Sequence, residues 1–246
     1  MEYPRINLHI HSNYSDGLNT IGEIAKYALR LRMDYIAITD HFSNSWKSDI
    51  IPTLDNVSKI EEYLGELTRI QHYLVRSSED LRIFKGVEID SFSSSEYIKN
   101  LIDPSKFEII LFEYIEDIDI LHKIWSITNE WKLSLSKTII GLAHFDPRKF
   151  NNDEIEQLIS FIKEYAVYFE FNSSYPQYYT NIKEGFFQKL RKNNVHVAIG
   201  CDSHNLVNLS SIKKPFEMIK HYKLEDNFRN FITSLNNLKN EYKNAN

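Results

Sequence analysis

The sequence predicts an α/β fold built on a parallel sheet, and three observations carry that reading. Short β-branched and aromatic runs alternate with longer segments of helical period along the chain. Several of the runs are almost continuously apolar, as strands buried on both faces are. No internal repeat, low-complexity tract or Gly/Ser-rich linker interrupts the series, so residues 1–246 read as a single domain. The expected strands are residues 5–9, 35–39, 82–89, 108–112, 138–143, 167–171 and 195–199. The expected helices are 20–32, 56–77, 117–133, 152–164 and 182–192, followed by one or two amphipathic helices at about 215–242 that pack on the rest or form an oligomer contact. Thr20-Ile21-Gly22-Glu23 has the form of a capping box and marks where the first helix starts. Pattern alone leaves open whether the sheet closes into a barrel or stays open and doubly wound.

Composition narrows the class. A chain of 246 residues with 42% hydrophobic and 26% charged residues buries enough surface to fold without a disulfide or a structural metal. One cysteine excludes an intramolecular disulfide and any multi-cysteine zinc site. No apolar run is long enough to span a bilayer and the N-terminus lacks a signal-peptide core, so a cytoplasmic protein without membrane attachment is expected. Net charge is −5, which argues against a surface that binds polyanions throughout. Seven glycines are few, and neither of the two common glycine-rich phosphate-loop patterns occurs. The few glycines present are expected where backbone geometry demands them.

What ends each strand is the informative feature. The first expected strand ends in His9-Ile10-His11, followed by Ser15-Asp16-Gly17. The next ends in Thr39-Asp40-His41, the third in Glu88-Ile89-Asp90, and the fourth in Glu113. His144-Phe145-Asp146, Glu170-Phe171-Asn172 and Asp202-Ser203-His204 follow the last three. Five of the nine histidines thus stand at the C-terminal ends of strands, where barrels and open α/β sheets both place their sites. His9 and His11, two apart on a strand, point the same way and can reach one ion. So many imidazoles and carboxylates on one rim need cations to satisfy them, and mixed N/O donors suit zinc, manganese or iron(II).

His9-x-His11-Ser12-x-x-Ser15-Asp16-Gly17, Ile38-Thr39-Asp40-His41, Gly86-Val87-Glu88, Ala143-His144 and Gly200-Cys201-Asp202-Ser203-His204 resemble, in order, the motifs of the PHP (polymerase and histidinol phosphatase) superfamily. The resemblance implies a distorted (β/α)7 TIM-like barrel with two or three divalent metal ions and phosphoester hydrolysis. It implies His9, His11, Glu88 and Asp202 around a first ion and Asp16, His41 and His204 around a second. A third would lie between Glu88 and His144. The family often has a histidine after the fourth strand, where this chain has Glu113, which is expected to substitute as an oxygen ligand, a weaker third site being the alternative.

Such ions would neutralise phosphate charge and lower the pKa of a bound water, so no protein nucleophile is required. Glu88 and Asp202 are then the carboxylates at the centre of catalysis, and Cys201 reads as a small packing residue. Asp40 and Asp146 read as supports or caps, or as a source of the leaving-group proton. His144-Phe145-Asp146-Pro147-Arg148-Lys149-Phe150 and the stretch after Glu170 are similar to the histidinol phosphatase branch. Arg148 is the candidate phosphate-binding cation, with a solvated helix-start cation as the alternative. The expected substrate is a small phosphomonoester, histidinol phosphate being one candidate. A nuclease using the same ions is the first alternative, served by a patch of Lys183, Lys189, Arg191, Lys192, Lys213 and Lys214. A non-catalytic subunit of a nucleic-acid-processing assembly is the second.

Overall fold

A computed structural model describes residues 3–179 and 185–245 of the chain. All seven expected strands are present and run parallel: β1 (Ile6–Asn7), β2 (Tyr35–Ile38), β4 (Arg82–Asp90), β5 (Ile109–Glu113), β6 (Ile139–Leu142), β7 (Tyr168–Asn172) and β8 (Val197–Gly200). The eighth, β3 (His41–Phe42), is the second strand resumed after a break at Thr39 and Asp40. Both β2 and β3 pair with β4, along its first and second halves. A strand of two residues has no periodicity to read, so it escapes sequence inspection.

The sheet closes. Leu8 donates its N–H to the Ile199 carbonyl at 2.9 Å, His11 to Ser203 at 3.0 Å, and Ser203 to His9 at 3.2 Å, joining the first strand to the last. The result is a distorted barrel of seven parallel strands. Its first strand is shorter than the expected 5–9 because beyond Asn7 it meets its neighbours only through such isolated bonds.

Helices α1 (Ile21–Arg30), α2 (Val57–Arg76), α4 (Ile118–Trp131), α5 (Asn152–Glu164) and α6 (Gly185–Lys192) lie between the strands as expected. The first residues of the expected 182–192 helix, and Lys183 with them, lie outside the described residues. Thr20 and Glu23 form the reciprocal capping box that starts α1. A short additional helix, α3 (Ser95–Leu101), is capped by Ser94 and is too brief to announce itself by period. The tail forms α7 (Lys213–His221) and α8 (Glu225–Ala245). Phe228, Phe231 and Leu235 of α8 are fully buried, and Asn227 donates to the carbonyls of Leu190 and Val195. That apolar face therefore serves this chain's own barrel.

Tyr63 shows how a helix fixes the strand ends. It is fully buried on α2, and its hydroxyl lies 2.8 Å from the carbonyl oxygens of both Ile38 and Gly86, sharing one proton between β2 and β4. Removing only that oxygen leaves two buried acceptors without their donor, a loss of about 1–3 kcal/mol. Tyr63→Phe is expected to lower the unfolding free energy by that amount in chemical denaturation, with the fold unchanged.

Candidate metal centre

The C-terminal ends of the strands bring nine donor residues to one rim. His9, fully buried beyond β1, stands with Nε2 3.1 Å from Nε2 of His11 and 3.1 Å from Oε1 of Glu88. Asp202 Oδ1 lies 3.0 Å from His11 Nε2. On the other side Asp16 meets His204 Nε2 at 3.1 Å and His41 Nε2 at 3.6 Å. The register of β3 on β4 sets His41 beside Glu88, and its Nδ1 is 2.9 Å from Oε2. His144 Nε2 is 3.3 Å from Glu88 Oε1 and 3.9 Å from Glu113 Oε2.

Three subsets each converge donor atoms within 4.8 Å: His9, His11 and Asp202; His11, Asp16, His41 and His204; and His41, Glu88 and Glu113. The first subset holds three of the four donors that the resemblance implies for a first ion, without Glu88, and the second adds His11 to the three implied for a second. The third departs from the implied grouping, because His41 rather than His144 completes it. Asp16 and His204 stay a quarter to a third exposed while Glu88 is sealed, so the cluster opens to solvent on the Asp16 side.

The donor set fits divalent cations. Both Glu88 oxygens are buried without a properly directed hydrogen bond, although three imidazoles surround them at 2.9–3.3 Å. His11 Nδ1 likewise lacks a hydrogen bond. These atoms aim at shared space rather than at each other, as ligands around an ion do.

Two imidazoles are oriented from behind. Nδ1 of His9 pairs with Glu170 Oε1 at 2.9 Å, and Nδ1 of His204 with the Asp202 carbonyl at 3.0 Å, leaving each Nε2 lone pair free to ligate. Glu170 also accepts the His144 N–H at 2.7 Å and the Asn172 side-chain N–H at 2.9 Å. The sequence set Glu170 at a strand end but gave it no role. The signal was an acid two residues before an amide on one strand face, both pointing inward. Weakening such a support lowers metal affinity roughly 10–100-fold. Glu170→Gln is expected to show that loss in metal titration.

Other residues hold the scaffold. Asp40 accepts from the Ser12 N–H at 2.7 Å and from the Ser12 and Ser15 hydroxyls at 2.6 Å, pinning the loop that carries Asp16. Asp146 caps a short turn and grips Nε and Nη2 of Arg148 at 2.8 and 2.7 Å, so one edge of that guanidinium fork is already engaged. Lys149 pairs with Glu116. Cys201 is fully buried, and burial pushes its thiol up to about 12, which suits packing and not nucleophilic attack. His144 (φ 31°), Asp202 (φ 49°) and Tyr114 (φ 56°) adopt left-handed backbone where their strands end, turning these side chains across the rim.

Charge in the cluster is shared between rings and carboxylates. Burial disfavours the imidazolium of His41, but Glu88 and Glu113 outweigh it and raise the pKa to about 10. His9, His144 and His204 are also raised, against their burial, by the surrounding carboxylates. His11 goes the other way, to about 3, through burial and the neighbouring His41. Despite burial, contact with the histidines lowers Asp16 to about 2. A cation entering this site must displace imidazole protons, so its apparent affinity rises with pH. Calorimetric titration in buffers of different ionisation enthalpy is expected to register proton release. The chelated protein has the opposite trend. A raised histidine stabilises the fold fully below about pH 6.5, and that contribution is lost as pH climbs through the folded value, near 10 for His41. Its melting temperature is therefore expected to fall over that interval.

With this geometry in hand, comparisons with known proteins are decisive at the level of family. The PHP domain family profile matches residues 7–174. The chain belongs to the PHP domain family. The match ends before β8, whose pairing with the first strand brings Asp202 and His204 to the site. Over 84% of its length the chain is 24% identical to the DNA polymerase/3'-5' exonuclease PolX of Bacillus subtilis, of which it spans about a third (35%). Among solved structures it is similar to histidinol phosphate phosphatase from Lactococcus lactis subsp. lactis, crystallised with zinc, L-histidinol and phosphate. That likeness has a TM-score of 0.61 at 14% identity and covers 89% of this chain and 93% of that one. A candidate histidinol phosphatase of Listeria monocytogenes aligns with a TM-score of 0.58 at 14% identity, covering 82% and 96%. These two structures share the fold found here.

Proposed function

We propose that this PHP protein is a metal-dependent phosphoesterase that hydrolyses the phosphomonoester of a small molecule. The observation that carries this reading is the surrounding of the donor cluster. Beside His144 lies a short cleft walled by Tyr114, Tyr175 and Tyr178 and edged by Glu116, Asp146 and Lys149. Tyr175 lies tilted against His144 with ring centres 4.5 Å apart, and Trp46 and Phe92, partly exposed, lean on Tyr114. Such a cleft suits one compact leaving group with an apolar or aromatic body.

A nuclease needs a run of unpaired cations leading to its site. Lys47 and Lys149, which the rim loops bring beside the cluster, are each committed to a carboxylate. Lys189, Arg191 and Lys192 stand at the C-terminal end of α6, next to the start of β8 and thus toward the opposite end of the barrel.

In this reading His9, His11, Asp16, His41, Glu88, His144, Asp202 and His204 would hold divalent zinc, manganese or iron. What the ions supply is charge neutralisation at the phosphate oxygens and an acidified water. The chain's own residues do the rest. Glu170 keeps the His9 lone pair turned inward, and the Asp40 clamp holds Asp16 at the open mouth where a phosphate enters. Arg148, anchored by Asp146 and half-exposed beside Tyr178, is the residue proposed to meet the substrate at the cleft edge.

The test is phosphate release by protein loaded with Mn²⁺ or Zn²⁺. Histidinol phosphate, an aryl phosphate, a bis-aryl phosphodiester and a single-stranded oligonucleotide would be compared. Preferential turnover of a monoester is expected. Preference for the diester or the oligonucleotide would overturn it in favour of the nuclease reading, which the similarity to an exonuclease-bearing polymerase supports.

A further inference from the structure

We propose that the ammonium group of Lys47 serves as a permanent third cation of this centre, so that the chain binds two divalent ions where its donors could group around three. The inference rests on reading the cluster as a metal centre. Its starting point is Glu113, at the end of β5, where the family resemblance implies a ligand to a third ion. Both Glu113 oxygens face Lys47 Nζ, at 2.5 and 2.7 Å. The same nitrogen lies 3.4 Å from His41 Nδ1 and 4.8 Å from the centre of the Tyr114 ring. It therefore sits against the third donor group, His41, Glu88 and Glu113, and a second cation there would meet it at close range.

The lysine is built into this position. Its side chain is 8% exposed, and it belongs to a one-turn helix, Trp46–Asp49, whose cap Ser45 accepts the Lys47 N–H. Asp90, fully buried on β4, accepts from the hydroxyls of both Ser43 and Ser45 and holds that turn against the barrel. Glu113 and Lys47 also account for each other. A neutral imidazole at position 113 would leave the buried ammonium without a directly bonded counter-charge, whereas a carboxylate with both oxygens on an ammonium satisfies each partner. Lys47 is thus a positioning and charge-balancing residue whose cation, unlike a metal ion, cannot dissociate.

The experiment counts ions. Chelated protein would be reloaded with Mn²⁺ or Zn²⁺, desalted, and weighed by native mass spectrometry. Two ions per chain are expected for the unsubstituted protein and three for Lys47→Met, which keeps the volume and frees the Glu113 carboxylate. In parallel, acetylation of lysines followed by peptide mapping is expected to leave Lys47 equally protected before and after loading. That measurement needs no variant. Three ions in the unsubstituted protein, two in a folded Lys47→Met, or Lys47 labelling that rises on loading would each overturn the proposal while leaving the metal centre standing. No bound ion at all would overturn both readings.

Discussion

Glu88→Ala is expected to abolish hydrolysis, by about a thousandfold or more, and to remove at least one bound ion while the barrel stays folded. Glu88 is the one carboxylate in direct contact with four histidines: its oxygens lie 3.1 Å from His9, 3.5 Å from His11, 2.9 Å from His41 and 3.3 Å from His144. Losing it removes the negative charge that offsets cations at the centre of the cluster. Charge stabilisation by such ions is worth several kcal/mol, and each 1.4 kcal/mol is a factor of ten. The fold survives because the strands around position 88 are held by Val87, Ile89, Leu111 and Phe112, all buried and independent of the charge. Metal content by mass spectrometry, circular dichroism and the hydrolytic rate check the three parts separately. A variant with full metal content and full rate would remove Glu88 from the site.

Gly200→Ala is expected to damage the same site from behind. A methyl group at position 200 would stand 1.7 Å from Glu170 Oε1 and 2.8 Å from the His9 Cβ. The Glu170 carboxylate must then leave, taking the His9 Nδ1 bond and the His144 N–H bond with it. The expected cost is about 1–3 kcal/mol of stability, typical of forcing extra volume into a packed interior, together with a fall in metal affinity of roughly 100-fold. Denaturation and metal titration of the same sample read both effects. If affinity is unchanged, Glu170 does not orient His9.

Gly200 also shows what the sequence does and does not make legible. Scarce glycines suggested special backbone positions, yet no described glycine has a positive φ. Gly17, Gly86, Gly141 and Gly200 are there because another group comes too near for a Cβ. Left-handed backbone went instead to residues such as Tyr114, His144 and Asp202. The strands were legible because burial on both faces writes them as apolar runs. The donors were legible because a parallel barrel puts every strand end on one rim.

What sequence could not show depends on side chains meeting across the rim. Lys47 lies six residues past His41 in a loop, and nothing local pairs it with Glu113, 66 positions away. Arg148 read as an open phosphate grip because its partner, Asp146, read equally well as a cap, and it serves as both. Glu170 was visible but mute, since its role is defined by His9, 161 positions earlier.

That long-range construction has a consequence for how the protein matures. His9 and Asp202 meet only where the first strand joins the last, through bonds that span more than 190 residues of chain. A ribosome adds about 5–20 residues per second, so roughly ten to forty seconds separate the two ends of the site during synthesis. Until β8 docks, β1 presents an unpaired edge and the histidines at positions 9 and 11 have no carboxylate from the far end. Contacts of such separation form late in folding. In the proposed reading, ion uptake by the two donor subsets that include Asp202 or His204 would follow the docking of β8, so an ion held there would mark a barrel that has already shut.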